Sequence, residues 1–226
     1  MKEVGFQKCT WIDLIIIVLL VFLSKYIFMY FGNFVVNHIW PEWYSSKWYY
    51  VRGYLLFTSI TIWFYLPPIL YCALKFGFFN KKDFIIDKKS LKSLFLFCLI
   101  SFIILFILTL RNQHNQFTNP IEFYGLKFPH LNYIIYFIFM VILGPIFEEI
   151  LFRGYLFELI LKKIVLLSLS ICLSSFFNML LHLPHRSMEE LVIIFLVMCY
   201  LNFVYIKTKI TGSIITHSII NIYLFT

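Results

Sequence analysis

The chain carries Gly-Pro-Ile-Phe-Glu-Glu-Ile-Leu-Phe-Arg-Gly at residues 144–154, which places two adjacent carboxylates and a guanidinium inside a long apolar run. A charge in hydrocarbon costs about 2.5–3.5 kcal/mol even on a lenient insertion scale, so three of them require a polar interior. On a helix, Glu149 and Arg153 stand four residues apart with the carboxylate first, which favours an ion pair. Glu148 points about 100° away and has no basic residue three or four positions from it. The stretch therefore predicts a membrane helix with one paired and one unpaired glutamate.

The composition indicates a polytopic membrane protein. The 226 residues are 62% hydrophobic, 21% aromatic and 13% charged, which is too apolar for one soluble domain of this size. The net charge of +8 comes mainly from lysines in short runs between apolar segments, so membrane topology explains it better than nucleic-acid binding does. The five cysteines lie mostly within apolar runs and predict neither a disulfide framework nor a cysteine-based zinc site.

Seven stretches are long and apolar enough to be candidate spans, which predicts an all-α, polytopic transmembrane helical bundle. They are residues 11–31, 53–74, 93–110, 131–161, 164–183, 189–206 and 211–226. We divide the chain into three N-terminal transmembrane helices (1–110), a polar linker (111–130) and a C-terminal core (131–226) that carries the intramembrane polar residues, all within one membrane domain. Twelve basic residues fall on one side of the spans and five on the other, so the N-terminus is predicted to be cytoplasmic.

Two of these spans each carry a histidine and an asparagine four residues apart. Asn178 precedes His182 in the fifth span, and His217 precedes Asn221 in the seventh. Each pair lies on one helical stripe and can face a common interior. A lone histidine on an apolar helix is more often a satisfied core residue than a ligand. Two such stripes with an unpaired glutamate, however, supply what water activation needs, a carboxylate base and neutral imidazole nitrogens.

Three motifs occur in order over residues 131–226: Glu148-Glu149-x-x-x-Arg153, then His182 after a serine-rich apolar helix, then His217-x-x-x-Asn221. This arrangement resembles the CAAX protease and bacteriocin-processing family of intramembrane proteases, also called the Abi family. The family's usual second motif is Phe-x-x-x-His, and this chain has Asn178 in place of that Phe. The Asn178 amide is expected to bond to His182 or to substrate, or to make an interhelical hydrogen bond.

The resemblance implies an intramembrane (metallo)endopeptidase that cuts a membrane-associated peptide or protein. It implies that Glu148 is the general base on a water molecule, and that His182 and His217 hold this water or a metal. Glu149 and Arg153 are then an orienting pair.

The resemblance also implies an oxyanion donor, Asn221, and leaves the cofactor open. Glu148, His182 and His217 are a workable zinc set with one open position for water, and a metal-free, glutamate-dependent mechanism is the equal alternative. The expected partners are a peptide or protein substrate and the lipid bilayer, without nucleic acid; the oligomeric state is not predicted. Frequent Phe, Ile, Lys and Asn indicate a bacterium with an AT-rich genome, and hence peptide processing or bacteriocin immunity in a bacterial cell membrane.

Two other classes of function stay open. One is a non-enzymatic immunity or scaffold protein that uses its polar cluster for packing, and the other is a small-solute carrier with a protonatable glutamate. Such carriers are often built from inverted repeats, and the sequence shows no sign of them.

Helix lengths test whether the candidate residues lie at one depth. Glu148 and His182 each stand some 17 residues, roughly 25 Å, from residue 165, just after the turn at Lys162-Lys163, so antiparallel neighbours bring them level. His217 lies only about nine residues, roughly 13 Å, beyond the basic turn at 207–209. Either the fourth and fifth helices project about two turns further than this turn, or one of the predicted boundaries is wrong.

Overall fold

The computed structural model describes residues 10–35, 38, 62–77, 84–112, 137–183 and 187–224. Helices account for the regular structure of these residues, which contain no strand. The all-α prediction is therefore confirmed for them. The polar linker predicted at 111–130 falls, from residue 113 onward, outside the described residues.

Six helical segments, labelled α1 to α6 in chain order, make up the described structure. They are α1 (Trp11–Phe34), α2 (Leu66–Phe76, preceded by a 3-10 helix at Ile62–Tyr65), α3 (Lys88–Asn112), α4 (137–164), α5 (Leu167–Leu180) and α6 (Met188–Leu224).

The segment α4 alternates between π- and α-helical turns. It consists of Phe137–Leu143 (π), Gly144–Glu148 (α), Glu149–Leu161 (π) and Lys162–Ile164 (α). Such π-helical turns are rare and occur frequently at functional sites. Leu151, Phe152 and Phe157 are at most 1% exposed, so α4 is the central helix of the bundle and other helices surround it.

The predicted count of seven spans is not confirmed. Two helices of the described part are long and apolar enough to cross a membrane, Trp11–Phe34 and Met188–Ile222. The helices at Ile62–Phe76, Ser90–Ile103 and Leu167–Leu180 are apolar but shorter. One physical reason lies in helix ends that hydropathy does not mark: α5 stops at Leu180 and continues into a turn at 181–183.

The predicted spans 189–206 and 211–226 correspond to two limbs of α6. Lys209 has φ 64° and ψ −169° inside this segment, and this left-handed backbone reverses the chain. As a result, the Ser213 hydroxyl donates to the Leu201 carbonyl oxygen at 3.4 Å, whereas twelve residues of straight helix would separate them by roughly 18 Å.

A glycine allows this reversal. A Cβ atom on Gly212 would lie 2.1 Å from the Thr208 hydroxyl oxygen and 2.3 Å from the Thr208 Cβ. Only a residue without a side chain fits at this close approach.

The turn at Lys209 lies deeper than the turn at Lys162. Ile210, which follows Lys209, packs in one buried cluster with Phe157. Phe157 precedes Lys162 by five residues, so α4 projects roughly 7.5 Å further than the α6 turn. Of the two alternatives raised by helix lengths, the projection of α4 is therefore the one that the packing supports.

The outer faces of the bundle are apolar. Leu74, Phe95 and Leu166 are 72–84% exposed, whereas Glu149 and Arg153 are 0% exposed. Charge inside and hydrocarbon outside is the arrangement expected where lipid is the solvent.

Candidate active site

The centre of the site is the Glu149 carboxylate on α4. Its Oε1 lies 3.1 Å from Arg153 Nη1 and accepts a 2.8 Å hydrogen bond from His217 Nδ1. Its Oε2 accepts a short hydrogen bond from the Ser213 hydroxyl. Glu149, Arg153, Ser213 and His217 are all buried. The bonds from His217 and Ser213 satisfy the carboxylate side of this buried ion pair, whereas Arg153 Nε has no hydrogen-bond partner among the described residues. The ion pair predicted from the four-residue spacing is therefore present, with two additional partners.

Arg153 also joins α4 to α6. Its Nη2 donates to the Met198 carbonyl oxygen at 3.1 Å and lies 3.2 Å from the Met198 sulfur. The Asn202 amide donates to the same carbonyl at 3.1 Å and to the Ser175 hydroxyl on α5 at 2.9 Å. The Arg153 guanidinium and the Asn202 amide thus meet at the Met198 carbonyl of α6, and Asn202 extends the contact to α5, which gives Arg153 a large share in the fold.

His217 stands between the two adjacent glutamates. Its Nδ1 donates to Glu149, and its Nε2 lies 3.9 Å from Glu148 Oε2. Because an ionised carboxylate only accepts hydrogen bonds, Nδ1 carries a proton, and in the neutral form of the ring the lone pair is then at Nε2, facing Glu148. The sequence predicts that Glu148 and Glu149 lie on different faces of the helix and have different roles. In the structure both carboxylates approach the imidazole ring of His217, because its two nitrogens lie at different edges of the ring.

Glu148 is the more accessible of the two carboxylates. Its side chain is 14% exposed, against 0% for Glu149, and its Oε2 has no hydrogen-bond partner within the described residues. The hydroxyl of Tyr65, which precedes α2, hydrogen-bonds to the Glu148 carboxylate. A carboxylate oxygen with unused lone pairs beside a neutral imidazole is a group that can take a proton from water.

Two members of this site, Ser213 and Tyr65, are not predicted from the sequence. Ser213 precedes His217 by four residues, as His217 precedes Asn221, so extending the polar stripe by one turn would have found it. Tyr65 carries no such signal, because its contact with Glu148 depends on how α2 packs against α4.

Asn221 lies on the second limb of α6. Its Nδ2 donates to the Met140 carbonyl oxygen of α4 at 2.9 Å. This contact fixes the amide beside the π-helical start of α4, one turn beyond His217. Its role as an oxyanion donor stays a prediction.

His182 lies in the turn that follows α5. Its backbone N–H donates to the Met179 carbonyl oxygen at 2.9 Å, as expected where a helix closes with a tight last turn. From α1, the Lys25 ammonium donates to the carbonyl oxygens of Leu181 and Leu183, one on each side of His182.

All of the predicted site residues fall in one C-terminal segment of the chain, and that segment has relatives. Residues 130–223 match the Rce1-like family. The matching family model is described as type II CAAX prenyl endopeptidase Rce1-like, which confirms the resemblance drawn from the three motifs. No curated protein and no solved structure matches the chain.

Residues 130–223 are therefore similar to a family of peptidases. With its apolar helices and apolar outer surface, the chain is an integral membrane protein. Tyr65 and Lys25, which contact the Rce1-like segment, both lie outside the matched residues.

A zinc ion would need three or four ligands from the Rce1-like segment. Among the residues that the structure describes, no group of three or more His, Cys, Asp or Glu side chains is placed to hold a metal. The set Glu148, His182 and His217 is thus not assembled there as a ready metal centre. Zinc binding stays a prediction, and we derive no step through a metal.

Asn178 of the Rce1-like segment is fully buried, and neither its Nδ2 nor its Oδ1 has a hydrogen-bond partner among the described residues. An unsatisfied buried amide is costly, so we expect Asn178→Leu to raise the free energy of unfolding by about 1–3 kcal/mol. Turnover per folded molecule should fall, because a costly buried polar group is typically kept for function.

Thermal unfolding and cleavage normalised to folded protein measure the two effects of Asn178→Leu. The matched control is Asn202→Leu, which removes an amide with several partners and should lower stability. A stabilised Asn178→Leu protein with unchanged turnover would remove Asn178 from the site.

Proposed function

We propose that the chain is an intramembrane endopeptidase in which Glu148 takes a proton from the water that attacks a peptide carbonyl. The observation that carries this proposal is the continuous series of contacts from Arg153 through Glu149 and His217 to Glu148. Arg153, at one end of the series, is fully buried in the bundle. The other end is a partly exposed carboxylate that has lone pairs free for a ligand.

The gap between His217 Nε2 and Glu148 Oε2 suits a water molecule. At 3.9 Å the two atoms are too far apart for a direct hydrogen bond, and both are acceptors in the assigned tautomer. One water can donate a hydrogen to each of them, which turns its oxygen lone pair towards a third direction. A substrate carbonyl approaching from that direction meets a polarised nucleophile.

Hydrolysis then proceeds in two steps. As the water oxygen bonds to the carbonyl carbon, one proton passes to Glu148, and the carbonyl oxygen becomes negatively charged. Asn221 and His182 are the candidate donors for this oxyanion. Collapse of the intermediate breaks the carbon–nitrogen bond, and Glu148 returns its proton to the departing amine.

Glu149 and Arg153 act on this reaction by orienting His217. A carboxylate on Nδ1 fixes both the tautomer and the direction of the imidazole ring. Arg153 keeps Glu149 ionised inside the bundle, so that it continues to accept from His217. The proposed substrate is a membrane-associated peptide or protein, and the amino-acid usage favours a bacterial peptide, including bacteriocin-related ones.

Comparative peptidomics tests the proposal and identifies the substrate in the same experiment. Cells lacking the gene are complemented with the wild-type protein, with Glu148→Gln, or with Glu189→Gln. The last variant is the matched control, because Glu189 is an exposed carboxylate at the start of α6. We expect new peptide termini with the wild-type and Glu189→Gln proteins and none with Glu148→Gln. The same termini with Glu148→Gln would overturn the enzyme proposal in favour of a scaffold.

A further inference from the structure

Lys25 is a cation in the middle of α1, a helix long and apolar enough to cross a membrane. A charge at this position is expensive and needs a specific partner. Lysine side chains in membranes usually extend to the aqueous interface. Here the ammonium ends on backbone instead: it donates to the Leu181 carbonyl oxygen and, at 2.8 Å, to the Leu183 carbonyl oxygen.

These two carbonyls lie at the end of α5, where the structure needs a cation. The last carbonyls of a helix have no intrahelical N–H partner and form the negative end of its dipole. The turn itself is held by three hydrogen bonds, from the N–H groups of residues 181, 182 and 183 to the carbonyls three positions earlier, at 2.9–3.3 Å. Lys25 adds a bond on each side of His182.

We propose that Lys25 is a positioning residue that, from the opposite half of the chain, holds the turn carrying His182, a candidate oxyanion donor. The inference rests on the proposed function, because His182 matters only if the site is catalytic. It assigns a role to a residue outside the matched segment 130–223.

Hydrogen exchange on the full-length protein in lipid nanodiscs tests the contact without any substrate. Lys25→Met removes the ammonium and keeps most of the apolar stem. A charge-assisted bond is worth enough that its loss should speed exchange of the amides at 181–183 about tenfold or more, while exchange in α4 stays unchanged. Lys25→Arg, which still reaches two carbonyls, should exchange like the wild type. An unchanged rate at 181–183, or equal acceleration throughout α4, would overturn the proposal.

The matched control is Lys75→Met. Lys75 forms an ion pair with Asp13 of α1 and contacts no member of the active site in the described structure. Like Lys25, Lys75 makes a contact that involves α1, in this case between α2 and α1, and it is replaced by the same residue. Lys75→Met should leave the exchange rate of the amides at 181–183 unchanged. This result distinguishes a local effect of the Lys25 contact from a general destabilisation of α1.

The turnover number of the Lys25 variants tests whether the contact matters for activity. The probe is an internally quenched peptide that spans the cleavage site found by the peptidomic comparison, measured with the wild type, Lys25→Met, Lys25→Arg and Glu148→Gln. We expect Lys25→Met to lower kcat at least tenfold while KM changes less than threefold, with Lys25→Arg restoring most of kcat. A wild-type kcat in folded Lys25→Met would contradict the positioning role.

The two proposals fail in different ways. Full activity of Glu148→Gln removes the proposed mechanism, whereas loss of activity in Glu148→Gln with full activity in Lys25→Met removes only the role of Lys25. If the wild type does not cleave this peptide, the exchange rate at 181–183 decides the contact. If Lys25→Met does not accumulate in the membrane, Lys25→Arg replaces it as the test. A Lys25→Arg protein that accumulates normally and keeps the wild-type kcat supports the positioning role. A Lys25→Arg protein that accumulates normally but loses kcat overturns it.

Discussion

Replacing Arg153 by alanine is expected to lower the free energy of unfolding by about 3–5 kcal/mol, because it leaves the Glu149 carboxylate buried without its cation. The Met198 carbonyl of α6 also loses the donor that Arg153 supplies. Most of the protein should then be lost from the membrane fraction. Membrane abundance and thermal unfolding of the solubilised protein measure the effect.

The chain offers a matched control for Arg153→Ala. Glu158 and Lys162 form an ion pair with the same four-residue spacing at 3.0 Å, but their side chains are 34% and 37% exposed. Exposed pairs of this kind contribute about 0.3–0.5 kcal/mol, so Lys162→Ala should leave abundance nearly unchanged. Equal losses in Arg153→Ala and Lys162→Ala would mean that burial of the Glu149 pair does not matter.

Glu148→Gln is expected to reduce turnover per folded molecule about 100- to 10,000-fold, the usual contribution of a general base. An amide of the same shape fills the same space but takes no proton from water. Thermal stability should change little, because Glu148 carries no ion pair with Arg153.

The adjacent residue gives the contrast for Glu148→Gln. Glu149→Gln should lower both stability and turnover, since it leaves Arg153 without a counter-charge and no longer holds His217 as a carboxylate does. Cleavage rates normalised to folded protein, with melting temperatures for both variants, separate the two roles. If Glu148→Gln keeps more than a tenth of wild-type turnover, another group is the base.

The parts of the site that the sequence predicts are those set by local geometry. Glu149 and Arg153 meet because a four-residue spacing brings side chains together on one helix, whatever surrounds it. The facing of His217 into the bundle follows from its polar stripe. Asn202, a single polar residue in an apolar helix, is expected to bond across helices, and it does so. Each of these predictions needs only one helix and an apolar solvent.

The parts that the sequence does not predict depend on the packing of distant segments. Tyr65 and Lys25 reach the site only because α1 and α2 pack against α4 and the end of α5. The count of seven spans is not confirmed: α5 ends at Leu180, earlier than hydropathy predicts, and parts of the predicted second and fourth spans lie outside the described residues. The aromatic-rich stretch at 40–50 predicts an interfacial belt, and it lies outside the described residues.

The four-residue spacing of Glu149 and Arg153 has a consequence for biosynthesis. Both charges lie on one helix, and their other polar partners, Ser213 and His217, come some sixty residues later in the chain. A chain is made from its N-terminus, so α4 is complete before those partners exist. The two charges can offset each other within α4 itself during this interval. This pair of charges can therefore enter the bilayer as an electrically neutral unit before α4 assembles with α6.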